Sequence, residues 1–575
     1  MRTLIHTCLV GACCLFAGLA DAAPLEGYHD HAALVAELKR MAQAPECELL
    51  EIGRTAEGRE ILVLRIAGET ELLNAVGDSM PRPAIAVVGS VQGSDLAGRE
   101  ICLELAQRVL DSLDDDEQLL AFLGQHDLYF LPSPSPDAAE YFFGAADYER
   151  DSNGSPFDDD RDGRVDEDPG EDLNGDGILT MMRVEDPAGD WMEHPDDPRV
   201  LIRAKREENE QGRWSLYSEG TDNDGDEKWN EDGQGGVDFN RNLTFNHDGG
   251  AAGCGPWPVS EAETRSVVDW FYNNQQICMV LSFGPEDNIR APWKNEHGKL
   301  MHESAEGSDI SILEHIAARG SELLGKENFP GSSNPRGSFA DWAYFHYGAW
   351  SISTRAWWVP EFKPEAPAEG EAAAVGENAE QPQAAEKPKK SDEKRGADEI
   401  NALNWFASQG IDGFVDWTDV ANPDFPGRSV QVGGFRPYLR SNPPAAMLSE
   451  LATKQLDFLR ELTGMLPAIS FSEVEVDDLG EGLYRVTAHV ANSGYLPTST
   501  RKAASIRQDY PLNIAISLPQ GASLLNGSLR GRLDRIEGLG GESEYSWLVV
   551  APQGGRIGLV VASPSVGMAR TEAEL

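Results

Sequence analysis

Basic side chains are scarce in this chain. Its 575 residues include 48 Lys and Arg against 97 Asp and Glu, which gives a formal net charge of −49 at pH 7. Nucleic acids and anionic membrane surfaces bind proteins through basic surfaces, so this deficit excludes both as expected partners. An acidic surface favours solubility and the binding of cations.

Long hydrophobic runs are missing after the N-terminal segment. We therefore expect no membrane span. Residues 1–22 begin with a basic residue, continue with an apolar stretch and end in small residues, which is typical of a secretory signal peptide. We expect a secreted or periplasmic protein. A lipoprotein modified at Cys13 is the weaker alternative, because little apolar sequence precedes that residue.

Cysteine is also sparse. Beyond the signal peptide, the sequence contains Cys47, Cys102, Cys254 and Cys278. In an exported chain these four residues form two disulfides or remain buried free thiols, and the sequence leaves both alternatives open.

Hydrophobic patterning predicts alternating strands and helices over residues 25–463. Residues 83–90 form a continuous apolar run, which is typical of a buried parallel strand, and residues 96–113 suit a helix. The alternation resumes at residues 257–283. It predicts an α/β fold with a mixed sheet flanked by helices.

Three segments depart from this alternation. Residues 144–235 are rich in Asp, Gly and Asn, which predicts a long inserted loop region. Residues 361–398 have low complexity and few large apolar side chains, so we expect a disordered insertion. Residues 467–575 contain short strands separated by turn signals, which predicts a separate all-β sandwich domain.

Six motifs resemble, in the same order, motifs of the carboxypeptidase A-like zinc peptidases. They are IGRTAEGREI (52–61), RPAIAVVGSVQGSDLAGRE (82–100), the Ser135-Pro136-Asp137 turn, GVDFNRN (236–242), PVSEAETRSVVDWF (258–271) and SFADWAYFHYG (338–348). The resemblance implies a carboxypeptidase fold over residues 45–463, in a large secreted bacterial form.

The same resemblance implies an altered zinc site. The family holds zinc with His, Glu and a second His, and a further Glu is the general base. Here Gln92, Asp95 and Phe283 stand at the ligand positions, and Arg355 stands at the general-base position. An amide is a weak zinc ligand, this Asp is one methylene short, a phenyl ring cannot ligate, and a guanidinium cannot accept a proton at neutral pH. We therefore predict that zinc does not bind and that no catalytic residue is intact.

One part of the family's site is retained. Asn240 and Arg241 stand where the family binds the terminal carboxylate of its substrate, which implies that a peptide or protein C-terminus is a partner. The alternative is that Arg241 pairs with a local carboxylate such as Asp238. The sequence leaves both open.

The acidic insert contains three loops that resemble EF-hand-like and dockerin-like calcium loops, in which alternate oxygen ligands surround one cation. The expected calcium ligands are Asp158, Asp160, Asp162 and Asp166 in the first loop, Asp172, Asn174 and Asp176 in the second, and Asp222, Asp224 and Asp226 in the third. Each loop lacks the Glu expected at its twelfth position, and a solvated acidic loop is the alternative interpretation.

The leading hypothesis is a secreted pseudoenzyme of the carboxypeptidase family, with calcium-stabilised loops, that binds peptide C-termini. One alternative is an active zinc metallocarboxypeptidase with an unusual metal site. Another is a calcium-dependent adhesion or interaction protein that acts through residues 467–575.

Overall fold

The structure is a computed structural model. It describes residues 25–575 except 69–71, 74–78, 145–147, 157, 159–162, 226, 228, 231–235, 295–303, 326–331, 334 and 365–394. The expected signal peptide and most of the expected insertion at 361–398 lie outside the described residues.

The strands are β1 (Cys47–Arg54), β2 (Glu60–Ala67), β3 (Leu72–Leu73), β4 (Ser79–Met80), β5 (Ala84–Ser90), β6 (Asp127–Leu131), β7 (Met181–Glu185), β8 (Trp191–Glu193), β9 (Leu201–Arg203), β10 (Trp214–Ser218), β11 (Ile277–Phe283), β12 (Trp350–Thr354), β13 (Phe414–Val420), β14 (Val430–Phe435), β15 (Ile469–Gly480), β16 (Leu483–Asn492), β17 (Leu512–Ser517), β18 (Ser523–Asn526), β19 (Arg530–Leu533), β20 (Gly541–Val550), β21 (Arg556–Ser563) and β22 (Gly567–Glu574). The α-helices are α1 (His31–Met41), α2 (Leu96–Ser112), α3 (Glu117–Leu123), α4 (Pro136–Glu140), α5 (Ala262–Asn273), α6 (Gly307–Leu324), α7 (Phe339–Trp342), α8 (Ala397–Gln409), α9 (Leu448–Met465) and α10 (Arg501–Ile506).

A mixed sheet lies at the centre of the larger domain, in the order β1-β2-β6-β5-β11-β12. Strands β6, β5, β11 and β12 are parallel, whereas β1 and β2 form an antiparallel hairpin at one edge. Successive side chains of a strand point to opposite faces. Accordingly, Ile85 and Val87 of β5 pack with α2 and α9, whereas Ala86 and Val88 pack with α5 and α7. Both faces are therefore covered by helices, and the predicted α/β fold is confirmed.

The acidic insert is more ordered than its composition suggests. The loop region predicted over residues 144–235 also contains four short strands, β7 to β10, which join a second sheet in the order β13-β14-β7-β10-β8-β9. Met182 and Val184 of β7 pack against Val430 and Val432 of β14 in a small apolar core. The strands β7 to β10 were not predicted because they are short, and because β13 and β14, which belong to the same sheet, follow only after the low-complexity segment.

The C-terminal domain consists of two four-stranded antiparallel sheets, in the orders β15-β16-β20-β18 and β19-β17-β21-β22. Apolar side chains of both sheets are buried in one shared core, among them Val486 and Trp547 of the first sheet and Ile514 of the second. The predicted all-β domain is confirmed.

The structure also bears on the four cysteines and on membrane-spanning helices. Cys47, Cys102, Cys254 and Cys278 are all free thiols, of which Cys102 and Cys254 are buried and Cys47 and Cys278 are partly exposed. Within the described residues, no helix combines the length and the apolar character that crossing a bilayer requires.

One buried carboxylate, that of Asp309, contributes to the junction between the two domains. Asp309, buried near the start of α6, accepts hydrogen bonds from the backbone N–H groups of Arg501 and Lys502 at 2.9 and 3.0 Å. It also accepts a hydrogen bond from the hydroxyl of Tyr344 at 3.0 Å. This carboxylate therefore satisfies two amides in the first turn of α10, a helix of the other domain.

The Lys502 side chain is buried in the same junction. Its Nζ donates to the carbonyl oxygen of Ser304 at 2.5 Å and lies 4.9 Å from the ring centroid of Phe345. Burial lowers the pKa of Lys502, and the charges of Glu306 and Asp309 oppose that shift. A buried ammonium with this many partners fixes how the domains dock.

We expect Asp309→Ala to lower the free energy of unfolding by roughly 2–4 kcal/mol, because two backbone amides, a hydroxyl and a buried ammonium lose an acceptor or counter-charge. Chemical denaturation monitored by circular dichroism measures the effect. Asp534→Ala, which removes an exposed carboxylate, is the matched control and should change the free energy of unfolding by less than about 0.5 kcal/mol. Equal stability of the two variants would contradict a junction that depends on Asp309.

Candidate functional site

The candidate site lies where three parallel strands end. Ser90 of β5 is opposite Phe283 of β11, and Phe283 is opposite Thr354 of β12. The carboxyl ends of parallel strands meet at one edge of a sheet, where α/β proteins place their binding sites. The turn at 91–95, the segment after Phe283 and Arg355 are therefore brought together.

The turn after β5 is held by its own side chains. Asp95 is the N-cap of α2, and its Oδ1 accepts a hydrogen bond from the amide of Gly98 at 3.4 Å. The hydroxyl of Ser90 accepts from the amide of Arg99 at 2.8 Å and donates to the carbonyl of Asp95. Burial raises the pKa of Asp95 to about 7, while the charge of Arg355 opposes the shift. Asp95 thus has a structural role as the start of a helix.

Gln92 is held by Asp151, a residue that sequence reasoning did not identify. The Gln92 amide Nε2 donates to Oδ2 of Asp151, and Oδ1 of the same carboxylate accepts from the backbone amide of Ser94 at 3.1 Å. One carboxylate therefore fixes both the turn and the side chain at the first ligand position. No local motif marks Asp151, which reaches the turn only through the fold.

Phe283 is fully buried in the larger apolar core. A Cβ built on Gly98 would lie 2.7 Å from Cβ of Phe283, so the absence of a side chain at Gly98 lets α2 approach the ring closely. The phenyl ring fills the position of the third ligand with core packing.

These residues do not fit zinc. A structural or catalytic zinc site needs imidazole, thiolate or carboxylate donors that converge on one point. Here one candidate donor is an amide bonded to Asp151, one is a helix cap and the third position has no donor atom. In the described part of the chain, no group of three or more His, Cys, Asp or Glu side chains is arranged to hold a metal ion.

Arg355 directly follows β12. Its backbone amide donates to Oδ2 of Asp287 at 3.1 Å, and its side chain is half-buried. The Nε atom is buried and has no hydrogen-bond partner, and the guanidinium makes no ion pair with any described residue. Its charge nevertheless acts on Asp95 and Glu286, since it lowers the pKa of both carboxyls against the larger effect of burial.

Arg241 has the same character. It ends a short 3₁₀ turn, is half-buried, and has a buried Nε without a hydrogen-bond partner among the described residues. No ion pair joins it to Asp238 in that part of the chain, although the two residues interact electrostatically. Burial raises the pKa of Asp238 well above its usual range, and the charge of Arg241 opposes that shift. Oδ1 of Asp238 accepts a hydrogen bond from the amide of Asn240 at 2.7 Å.

Asn240 is fully buried, and both ends of its side-chain amide form hydrogen bonds within the protein. Its Nδ2 donates to Oε1 of Glu286 at 2.8 Å, and its Oδ1 accepts from the amide of Phe339 at 2.9 Å. Asn240 thereby positions Glu286, a second residue that sequence reasoning did not identify. Burial raises the pKa of Glu286 to about 8, and its other oxygen, Oε2, is buried without a hydrogen-bond partner.

The second acidic loop is the only expected calcium loop whose named residues are all described. Oδ1 of Asp172 accepts from Gly175 at 2.7 Å and Oδ2 accepts from Gly177 at 2.8 Å. Oδ1 of Asn174 accepts from the amide of Asp176 at 2.8 Å. The side chains therefore turn inward around the loop, as such loops do.

The other two loops are described in part. Asp158 accepts from Gly163 at 3.0 Å, and Asp222 accepts from Gly225 at 2.6 Å, so both first-position residues adopt the same local pattern. Asp166 and Asp224 lie within the described residues and have partners. The expected ligands Asp160, Asp162 and Asp226 lie outside the described residues.

Two buried carboxylates hold the loops in place, Glu219, which no motif indicated, and Asp168, the last residue of the first acidic motif. Glu219 accepts from the amides of Leu173 and Thr180, both at 2.9 Å. Asp168 accepts from the amides of Asn223 and Asn230 at 3.0 and 2.5 Å. The insert is thus ordered by carboxylates that accept backbone hydrogen bonds across its segments.

Comparison with known proteins places this geometry in a family. The sequence model described as "Zinc carboxypeptidase" matches residues 34–358, more than half of the chain, and a "Domain of unknown function" model matches residues 468–574. Carboxypeptidase E of Caenorhabditis elegans is 28% identical over 127 residues, covering 21% of this chain and 26% of that protein. Carboxypeptidase Z of Homo sapiens is 30% identical over 119 residues, covering 20% and 17%. The aligned region thus spans about a quarter or less of these relatives.

Solved structures give a weaker likeness. Thrombin-activatable fibrinolysis inhibitor is 15% identical with a TM-score of 0.34, over 58% of this chain and 71% of that one. A metallo-carboxypeptidase from Pseudomonas aeruginosa is 15% identical with a TM-score of 0.26, over 56% and 58%. The family assignment therefore depends on the match at residues 34–358. By that match, the chain belongs to the zinc carboxypeptidase family.

Proposed function

We propose that this protein is a secreted pseudoenzyme of the zinc carboxypeptidase family that binds the C-terminal carboxylate of peptides. The observation that carries the proposal is the pair Arg241 and Arg355, two half-buried guanidinium groups without ion-pair partners among the described residues. Secretion is supported by the N-terminal sequence pattern alone.

The loss of hydrolysis follows from the chemistry of the substituted positions. Gln92 and Asp95 are engaged in holding the turn, and Phe283 belongs to the core. The general-base position needs a group that releases and accepts a proton near neutral pH, and a guanidinium stays protonated there. Neither water activation nor proton transfer to the leaving amine has a residue to perform it at these positions.

Binding follows from two guanidinium groups, those of Arg241 and Arg355, that have no ion-pair partner in the part of the chain that the structure describes. Leaving a buried N–H of a charged group without an acceptor costs free energy, and a ligand carboxylate supplies the acceptor. Arg binds carboxylates through two parallel hydrogen bonds, so Arg241 can serve as the clamp while Arg355 adds a second positive charge. Asn240 contributes indirectly, because both ends of its amide hold Glu286 and the Phe339 backbone.

We further propose that the acidic loops bind calcium. Support comes from the second loop, where Asp172, Asn174 and Asp176 alternate and Gly177 adopts a positive φ of 82°. Alternate oxygen donors followed by a glycine at the sharp turn are the pattern that a hard cation requires. The cation would stabilise the insert sheet without taking part in chemistry.

Removing either arginine should weaken peptide binding. We expect Arg241→Ala and Arg355→Ala each to raise the Kd of a fluorescein-labelled peptide by about 10-fold or more, since a hydrogen bond to a charged group contributes roughly 1.5–3 kcal/mol. Fluorescence polarisation measures the Kd. Arg556→Ala, an exposed arginine of the C-terminal domain, is the matched control, and amidation of the peptide should abolish binding to the unchanged protein.

The same peptide tests inactivity. Incubated with stoichiometric zinc and analysed by mass spectrometry, it should keep its C-terminal residue. Release of that residue, sensitive to EDTA, would overturn the pseudoenzyme proposal and support an active enzyme with an unusual metal site. Peptide binding by residues 467–575 alone would instead support the adhesion hypothesis.

Glu286 should make binding depend on pH. Its pKa of about 8 leaves the carboxyl mostly neutral at pH 7 and ionised at pH 9, where the added negative charge repels the ligand carboxylate. We expect Kd to rise about 5-fold over this range, which corresponds to roughly 1 kcal/mol of charge repulsion. Glu286→Gln, which keeps the acceptor for Asn240, should remove that dependence.

The pH dependence of protein stability tests the raised pKa of Glu286 independently of peptide binding. In the folded state Glu286 retains a proton up to about pH 8, whereas the unfolded carboxyl loses that proton near its ordinary pKa of 4.5. The free energy of unfolding therefore falls as pH rises through this window, by at most about 1.4 kcal/mol per unit, and Glu286→Gln should flatten the decline. Glu542→Gln, at an exposed acid, should leave it unchanged. Identical pH profiles for Glu286→Gln and the unchanged protein would show that another group titrates.

Calcium should raise the thermal stability of the full chain. At a free concentration one hundred times its Kd, a ligand adds about 2.7 kcal/mol to the free energy of unfolding. Asp172→Asn should reduce the calcium-dependent rise in Tm, and Asp196→Asn, an exposed position in the same insert, should not. Absence of calcium in the purified protein by elemental mass spectrometry, with a Tm insensitive to calcium, would refute the proposal.

A further inference from the structure

A cavity of about 870 Å³ lies between the larger domain and the acidic insert. Tyr141, Gly144 and residues 148–150 form one wall, residues 179–181 and 218–219 of the insert form another, and residues 435–437 with Arg440 close a third side. Its volume is within the range of cavities that bind small molecules and peptide side chains.

The cavity adjoins the candidate site through Glu149. The Glu149 carboxylate lies in the cavity wall, accepts a hydrogen bond from the amide of Tyr438 at 3.0 Å, and also bonds the side chain of Ser94. Ser94 belongs to the turn that carries Gln92, and its amide is held by Asp151. One short segment, residues 149–151, therefore borders both the cavity and the turn.

The lining includes apolar and aromatic side chains beside the polar and charged ones. Leu179 and Met181 come from the start of β7, and Phe435 ends β14. Met181 is 38% exposed although it is a large apolar side chain, and the Arg440 guanidinium lies 4.9 Å from the Phe435 ring centroid. A cavity with a flexible methionine and an aromatic face accommodates large apolar side chains of variable shape.

The charged groups Glu219, Arg436 and Arg150 of the cavity have partners. Glu219 accepts hydrogen bonds from Leu173 and Thr180, and Arg436 forms an ion pair with Asp412 at 2.7 Å. Arg150 stacks 3.8 Å from the ring centroid of Tyr141 and donates to backbone carbonyls. The buried Oδ1 of Asn230 has no hydrogen-bond partner among the described residues, so it can accept one hydrogen bond from the occupant. The occupant is otherwise selected by apolar contact and shape, and its charged terminus belongs at Arg241 and Arg355.

We propose that this cavity binds a large apolar or aromatic side chain that lies upstream of the C-terminal residue of a bound peptide. The inference depends on the proposed binding of C-terminal carboxylates and adds a ligand class to it: peptides, with selectivity exerted by the insert. The insert sheet then has a binding role besides its own stability, because β7 supplies the apolar face.

The test is a positional scan with fluorescein-labelled peptides on the full chain. The reference peptide is an all-glycine hexapeptide ending in alanine, and Phe replaces each upstream glycine in turn. We expect Phe at one upstream position to lower Kd by about 10-fold, as burial of one such side chain provides. No gain at any position would overturn the inference.

Two variants test whether the cavity is responsible for the lower Kd of the Phe-containing peptide. Met181→Glu and Leu179→Glu should each abolish the advantage of the Phe peptide and leave the Kd of the all-glycine peptide unchanged. Leu479→Glu, an exposed leucine of the C-terminal domain that is 46% exposed, is the matched control and should change neither. Persistence of the advantage in both cavity variants, with the Tm of each intact, would overturn the inference.

The outcome separates this inference from the proposed function. If Arg241→Ala abolishes binding but the cavity variants have no effect, the carboxylate site stands and the cavity inference is wrong. If amidated peptides bind as well as free ones, and Met181→Glu still removes the Phe advantage, the cavity inference stands and carboxylate recognition is wrong.

Discussion

The parallel register of β5, β11 and β12 is the constraint on which the site depends. It brings the turn after Ser90, the segment after Phe283 and the residue after Thr354 to one edge of the sheet. Residues distant in sequence meet there because the strands are parallel, whatever side chains they carry. The fold therefore does not depend on the family's metal chemistry, and a family name describes the scaffold more securely than the reaction.

Carboxylates that accept backbone hydrogen bonds organise much of what surrounds that edge. Asp151 fixes the turn, the buried Glu219 and Asp168 hold the acidic loops, and the buried Asp309 joins the C-terminal domain to the larger one. Each satisfies the N–H groups of backbone amides in segments that are distant in sequence. In a chain with a net charge of −49, part of the acidic excess thus has a structural use.

The residues at the predicted ligand and base positions share a consistent character. Gln92 and Asp95, at the predicted first two ligand positions, hold the turn. Phe283, at the predicted third position, belongs to the core, and Arg355, at the predicted base position, is a cation. A guanidinium in place of a carboxylate attracts a ligand carboxylate where the acid would repel it. In the function we propose, the insert then borders this site with an apolar cavity, so binding and selectivity come from different parts of the chain.

The sequence alone determined the α/β fold, because continuous apolar strands and amphipathic helices follow from local periodicity. Motif order also led to the assignment of Gln92, Asp95 and Phe283 to the ligand positions and of Arg355 to the general-base position, which stays a prediction. Only the tertiary structure decided what those residues contact: that Asp151 binds Gln92, that Asn240 holds Glu286, and that the insert forms a sheet with β14. These contacts join segments separated by tens to hundreds of residues, and no local pattern encodes a pairing that burial and sheet register impose.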